Sequence, residues 1–294
     1  MKTNYIAGFI LAIILVFTQY MITKSSYSGQ ETNEALKVMS FNIRYNNPSD
    51  GPNAWDNRKE MVRDLIIYHN PDLLGIQEGL IGQVAYLEES IDDYTRVGVG
   101  RDDGEDEGEF SAIFYREDKF KLLETNTFWL SETPLKPSKS WDAALPRIVT
   151  WAKLNYLPEQ EIIYYFNTHF DHRGKEARKE SARVLAEKIK EISNGSTVLL
   201  TGDFNFSEDE PPYSVLMENT NLKDAFHTSE NPAYGPEATT NGFEYTYDLD
   251  RSRIDYIFVP SSATVLKYAT LSDSEHHRFP SDHFPVTAVV KISD

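Results

Sequence analysis

The sequence predicts an α/β protein. Short β-rich runs alternate with segments of helical period from Leu36 onward, and groups able to bind a metal or move a proton fall at the ends of those runs. Composition agrees: 294 residues with 40% hydrophobic, 13% aromatic and 26% charged residues lie in the globular range. That excludes wholesale disorder, collagen-like repeats and a multi-span membrane protein. A chain of this size buries roughly 70–75% of its unfolded surface and needs no covalent staple. It contains no cysteine, which removes disulfides, thiolate-bound zinc, iron–sulfur clusters, a thiol nucleophile and a lipoprotein anchor.

The N-terminus carries an apolar run, Ile6–Phe17, behind Lys2. Twelve helical residues reach about 18 Å, short of the ~30 Å hydrocarbon core. Residues 1–28 therefore read as a signal peptide, with Ser26-Tyr27-Ser28 at cleavage spacing, or as a retained membrane anchor extended through Met21 and Ile22. In either case the protein is expected to be exported: periplasmic, secreted or anchored. Membrane contact is expected only through this segment. Its loss takes away Lys2 and Lys24 and no acid, so the net charge of −17 becomes −19.

Strands are expected at Lys37–Phe41, Leu73–Gln77, Ser111–Tyr115, Ile148–Asn155, Ile162–Thr168, Val198–Thr201, Arg253–Val259 and Phe284–Lys291. Helices are expected at Asp56–His69, Gly82–Ser90, Lys175–Ser193 and Pro212–Glu218. The first places Met61, Leu65 and Tyr68 on one face, and the third aligns Ala182, Leu185, Ala186 and Ile189 before stopping at Asn194-Gly195. No repeat or linker divides the chain, so residues 36–294 are expected to form one catalytic domain, acting as a monomer. Two loops stand out. Asp102–Glu109 is an acidic, solvated hairpin loop by composition, and Pro134–Pro146 is a long connection with Trp141 inside it and Arg147 at its far edge.

Asn42, Glu78, His169, Asp203 and Asn205 each follow an expected strand directly or within a few residues. Asp282 and His283 immediately precede one, and Asp255 lies inside one, a costly position for a carboxylate without a partner. Strand ends of an α/β sheet are the usual ligand sites. Singly, each residue has an ordinary structural explanation as a turn, cap or solvated side chain; together they describe one site assembled from distant segments. Carboxylate and carboxamide oxygens without sulfur favour Mg²⁺, or Mn²⁺, over zinc. Two histidines and spare carboxylates remain for proton transfer, which suits attack of water on phosphorus. No Gly-x-Ser-x-Gly elbow and no P-loop is present.

Six motifs occur in order: Ser40-Phe41-Asn42-Ile43-Arg44, Ile76-Gln77-Glu78, Asn167-Thr168-His169, Thr201-Gly202-Asp203-Phe204-Asn205, Arg253-Ile254-Asp255-Tyr256 and Ser281-Asp282-His283-Phe284-Pro285-Val286. In this arrangement the chain resembles the endonuclease/exonuclease/phosphatase, or deoxyribonuclease I-like, superfamily. The resemblance implies a four-layer α/β sandwich, two packed mixed β-sheets flanked by helices, with the site at one edge. It also implies a metal-dependent hydrolase of phosphoric esters. By position, Glu78 resembles the principal metal ligand, with Asn42 beside it and Asp282 completing the metal or phosphate shell. Asp203 and Asn205 resemble the pair that positions the attacking water and the phosphate. His283 resembles the general base or phosphate-contacting imidazole, held by Asp255. His169 resembles the second histidine, and Glu109 its orienting partner. Arg44 and Arg147 lie where relatives contact phosphate, and a guanidinium fork suits its oxygens.

Departures bear on substrate. Leu80 stands where deoxyribonuclease I carries a groove-binding arginine, and Arg44 stands where AP endonucleases carry aspartate. The acidic balance and the absence of a basic stripe do not favour nucleic acid as partner. The expected substrate is a small or surface-borne phosphoester: a sugar phosphate, inositol phosphate, nucleotide or lipid head group. The alternatives are a secreted nuclease and a catalytically idle binding module of the same fold. The Gly98–Glu109 block and the Trp141–Arg147 loop are expected to rim the site.

Overall fold

A computed structural model describes residues 35–245 and 252–292. The N-terminal segment expected to act as a signal or anchor lies outside the described residues. No helix among the described residues is long and apolar enough to cross a membrane.

The strands are β1 (Leu36–Asn42), β2 (Leu73–Gln77), β3 (Tyr94–Val97), β4 (Ile113–Arg116), β5 (Phe120–Trp129), β6 (Ile148–Tyr156), β7 (Glu161–His169), β8 (Thr197–Asp203), β9 (Leu222–Asp224), β10 (Asp255–Pro260), β11 (Thr264–Thr270) and β12 (Val286–Lys291). The helices are α1 (Lys59–His69), α2 (Ile81–Ser90), α3 (Lys175–Ser193), α4 (Pro211–Asn219) and the single turn α5 (Ala225–Thr228). Two six-stranded sheets form, in the orders β11-β12-β1-β2-β4-β3 and β5-β6-β7-β8-β10-β9. This is the four-layer sandwich that the resemblance implies.

Alternation along each strand builds three apolar layers. Val38, Leu73, Ile113 and Tyr115 face Leu154, Tyr165, Leu199 and Ile257 between the sheets. Met39, Phe41, Leu74 and Ile76 turn outward to Val62, Leu65, Ile66, Val84 and Leu87 of α1 and α2. On the far side Val149, Phe166, Leu200 and Phe258 meet Ala182, Leu185, Ala186, Ile189 and Leu216 of α3 and α4. The expected stripe of α3 is the buried one. That of α1 is rotated: Val62, Leu65 and Ile66 are buried, while Tyr68 is 82% exposed. Helix α1 also starts later than expected, because Trp55–Asn57 forms a separate 3₁₀ turn ahead of it. The last strand begins at Val286 rather than Phe284, after Pro285, which has no N–H for a ladder.

Each sheet contains one parallel pair, β1 with β2 and β7 with β8, at its centre. Strand β12 runs antiparallel beside β1, and β10 antiparallel beside β8. The C-terminal ends of four strands and the starts of two returning ones therefore collect at one edge. Just beneath that edge the inter-sheet contact turns polar. Gln77 Nε2 donates to Asn167 Oδ1 (2.7 Å) and Ser40 Oγ (3.2 Å). Asn167 Nδ2 donates to the carbonyls of Ile76 (2.8 Å) and Ala112 (2.9 Å), and Thr201 Oγ1 donates to Asn167 Oδ1 (3.1 Å). The layer closes over Gly75, where an added Cβ would fall 2.4 Å from both Asn167 Oδ1 and Thr201 Oγ1.

Gly75→Ala is accordingly expected to cost about 1–3 kcal/mol of stability through overpacking. Chemical denaturation measures this; a change below about 0.5 kcal/mol would show that the sheets separate freely.

Candidate active site

Strand pairing sets the constellation. Asn42 closes β1, Glu78 follows β2, and His169 and Asp203 close β7 and β8 in register with one another. Asp255 opens β10 directly opposite Asp203. Residues separated by up to 241 positions thus share one edge. Glu78 has φ 64° and Asn205 φ 51°, left-handed conformations that non-glycine residues adopt only where surroundings hold them.

Asn42 lies at the centre. Its Nδ2 donates to Glu78 Oε1 (3.1 Å) and Asp203 Oδ2 (2.9 Å), while its Oδ1 accepts the Arg44 amide (3.0 Å). The backbone amide on Oδ1 fixes the rotamer, Nδ2 tethers the two carboxylates, and Oδ1 keeps a second lone pair. Glu78 Oε2 accepts the Tyr45 amide (3.1 Å). Ligand atoms of Glu78, His169 and Asp203 lie within 4.8 Å of one another, as do those of Asp203, Asp255 and His283. Oxygen donors with imidazole and no sulfur fit a hard divalent ion.

Asp203 accepts the Asn205 amide on Oδ1 (3.0 Å), and its Oδ2 lies 3.4 Å from His169 Nε2 and 3.8 Å from His283 Nε2. Burial and the nearby Asp255 push its pKa up to about 7, against His283 and the Asn42 hydrogen bond. His283 Nδ1 meets Asp255 Oδ2 at 2.9 Å. Burial opposes charge on this ring, but Asp255 and Asp203 outweigh it and hold the imidazolium well above its ordinary range. Asp255 is itself anchored through its backbone, since Thr239 Oγ1 accepts the Ile254 and Asp255 amides (3.0 and 3.1 Å).

His169 is the opposite case. Burial, then the charges of Arg147 and Arg101, hold it well below the ordinary range, so it is neutral. Asn205 Nδ2 donates to both the Phe170 carbonyl and His169 Nε2, each at 3.0 Å. Nε2 must then accept, and the ring proton sits on Nδ1. Glu109, expected to orient this ring, comes to 3.8 Å from Nδ1, beyond hydrogen-bond length. The reason is Arg101, whose guanidinium grips both oxygens of Glu109 (2.5 and 2.9 Å).

The two expected phosphate arginines are placed differently. Arg147 is buried beside the site, 3.8 Å from Glu109 and in contact with His172 Nδ1 (3.0 Å), and its Nε and one terminal nitrogen have no hydrogen-bond partner. Arg44 makes a two-pronged pair with Asp50 (3.0 Å twice) and lies 3.7 Å from Asp282. Its charge is thus partly committed before any anion arrives. Asp282 has its carboxyl pKa raised by burial. Ser281 Oγ donates to the Asn42 carbonyl (2.7 Å) and so ties this loop to β1.

Several supporting residues escape the sequence reading. Arg58 is fully buried and donates to the carbonyls of Ile43, Arg44, Asn53 and Pro280, joining the loops after β1 and before β12. Asp171 accepts four amides, of Ala144, Leu145, Arg173 and Gly174, and fixes the loop that carries Arg147. Asp171 offered only the signal of a charged residue two places past a motif, which is common, and Arg58 lies beside no motif at all. Of the tryptophans, Trp129 and Trp151 are core residues and Trp141 is half-buried in that loop.

Comparison with known proteins agrees with this fold. Residues 39–283 match the Endonuclease/Exonuclease/phosphatase family. A mannosyl-6-phosphatase of Bacteroides thetaiotaomicron superposes with TM-score 0.82 at 41% identity, covering 87% of this chain and 99% of that one. An endonuclease/exonuclease/phosphatase from Bacteroides vulgatus gives 0.84 at 38% identity, covering 88% and 99%. Tyrosyl-DNA phosphodiesterase 2 of Danio rerio is 22% identical over 85% of this chain and 65% of its own length. The chain is a member of the endonuclease/exonuclease/phosphatase family and, as such, a hydrolase of phosphoric ester bonds.

Proposed function

We propose that the protein is an exported, Mg²⁺-dependent phosphatase acting on a phosphorylated sugar. The family depends on a divalent metal. The observation that carries the reaction is the convergence of Glu78, Asp203, His169 and the His283–Asp255 pair at one edge. The substrate class is supported by 41% identity across nearly the whole of a mannosyl-6-phosphatase. Export is supported by the Ile6–Phe17 run behind Lys2.

Glu78, with Asp203 in reach, would hold the metal, and Asp282 lines the same mouth. Bound there, a hard divalent ion neutralises charge on the phosphoryl oxygens. The protein's own groups do the rest. His283, kept cationic by Asp255, hydrogen-bonds a phosphoryl oxygen through Nε2. Asp203, facing His169 and His283, accepts the proton of the attacking water. Asn205 orients His169, which burial and the nearby arginines keep neutral, beside them. Arg147, buried beside the site with two nitrogens lacking a hydrogen-bond partner, binds the phosphate charge and positions it for attack.

Three outcomes test this reading. Hexose 6-phosphate should be hydrolysed with Mg²⁺ and not with EDTA, well ahead of inositol phosphate, sphingomyelin and plasmid DNA assayed alongside. Faster cleavage of DNA would make it a nuclease, and substrate binding without turnover would make it a binding module. His283→Ala should lower kcat about 10²–10⁴-fold, whereas a loss under tenfold would remove the ring from the mechanism. Finally, Asp203 and His283 both bind protons more tightly folded than unfolded. The stability they contribute is lost as pH rises from 3.8 to about 7 for Asp203, and above 6.5 for His283. Metal-free protein should therefore melt at lower temperature at about pH 8 than at about pH 6. Added Mg²⁺ should reverse the loss, and Glu78→Gln should need much more Mg²⁺ to do so. A melting temperature indifferent to Mg²⁺ at both pH values would contradict the assigned metal site.

A further inference from the structure

The contact between Glu109 and His169 is controlled by a residue outside every site motif. Arg101 lies in the acidic loop between β3 and β4. Its backbone is locked: Trp129 Nε1 donates to the Arg101 carbonyl (2.7 Å), and the Arg101 amide donates to the Glu109 carbonyl (3.2 Å). The loop tolerates no side chain at Gly100, where a Cβ would come within 2.2 Å of the Glu107 carbonyl. From this frame the buried guanidinium reaches Glu109, with Nη1 to Oε2 at 2.5 Å and Nη2 to Oε1 at 2.9 Å.

The pairing leaves a mismatch next door. Glu109 Oε2 lies 3.8 Å from His169 Nδ1 and 3.8 Å from an Arg147 terminal nitrogen. Asn205 places the His169 proton on Nδ1, and that atom is buried with no hydrogen-bond partner. A buried donor without an acceptor is unfavourable, and the nearest acceptor is the oxygen that Arg101 holds. One carboxylate therefore serves two buried arginines and one imidazole.

We propose that Arg101 is a positioning residue for phosphoester hydrolysis, fixing Glu109 as the carboxylate that faces the His169 Nδ1–H and the Arg147 guanidinium. The proposal rests on the reading of His169 as part of the catalytic site. A fork that binds both carboxylate oxygens fixes position and plane, which a lysine ammonium cannot do. Without Arg101, Glu109 is free to turn onto His169 or Arg147, and the spacing between carboxylate and ring is no longer fixed. Because the clamp acts on orientation and not on substrate affinity, it is felt in kcat and spares KM.

The test is a set of full-length variants assayed on hexose 6-phosphate and an aryl phosphomonoester with saturating Mg²⁺. Arg101→Ala should lower kcat by about 10–100-fold with little change in KM, and Arg101→Lys should fall between the two. Guanidinium ion at millimolar concentration should restore part of the Arg101→Ala loss. Nitrogen NMR of the His169 ring should show Nδ1 protonated in the wild type and an altered or averaged signal in Arg101→Lys, which also serves if the alanine variant does not fold. Folded Arg101→Ala with kcat within about twofold of wild type, or an unchanged His169 signal in Arg101→Lys, would overturn the proposal. His169→Ala separates the two levels. If it is inactive while Arg101→Ala is not, only the positioning role fails; if it is fully active, the reading of the site fails with it.

Discussion

The site depends on how closely the two sheets approach at one end. Over most of their area the sheets are separated by apolar side chains, but near the catalytic edge the filling is an amide layer. Gln77 from one sheet and Asn167 from the other share a 2.7 Å hydrogen bond, and the absence of a side chain at Gly75 lets them meet. A buried amide network is directional in a way that packed methyl groups are not. It sets the register between sheets at the place where register matters, because Glu78 and Asp203 come from different sheets and must face one another through Asn42.

Above that floor, charge is distributed by contrast. The two histidines are close in space but opposite in state. His283 is flanked by carboxylates and kept cationic, while His169 is kept neutral by burial and by the charges of Arg147 and Arg101. The chain is strongly acidic, at −17, yet the edge itself is ringed by buried arginines. Arg58 is spent on carbonyls, Arg44 on Asp50 and Arg101 on Glu109, and each thereby stiffens a loop. Arg147 alone of these four keeps both Nε and a terminal nitrogen without a hydrogen-bond partner among the described residues, with Asp171 and Glu109 each 3.8 Å away. Overall acidity thus says little about the potential at the site.

The strands that the sequence reading names are the interior ones. The four that it omits, β3, β5, β9 and β11, are the four sheet edges. An edge strand such as β5 is exposed along its middle and carries no continuous apolar run, so its pairing is dictated by the neighbour and not by its own composition. For the same reason Tyr68 looked like a core residue by spacing and is a surface one: helical period gives a stripe, but the angle at which a helix lies on its sheet selects which stripe is buried.

By itself the sequence determined the α/β class, the interior strands and the long helix, and it named the polar residues at their ends, since these are properties of short windows and of residue type. Which of them touch was decided by tertiary structure. Parallel pairing at the centre of each sheet brought Asn42, Glu78, His169 and Asp203 to a common edge, and no local pattern encodes that partnership. Side-chain competition then settled the finer points: Arg101 takes the carboxylate that the family resemblance had assigned to His169, and Asn42 ties Glu78 to Asp203 through Nδ2. Such outcomes depend on distances of a few tenths of an ångström between residues far apart in the chain, and those distances exist only once the sheets have packed.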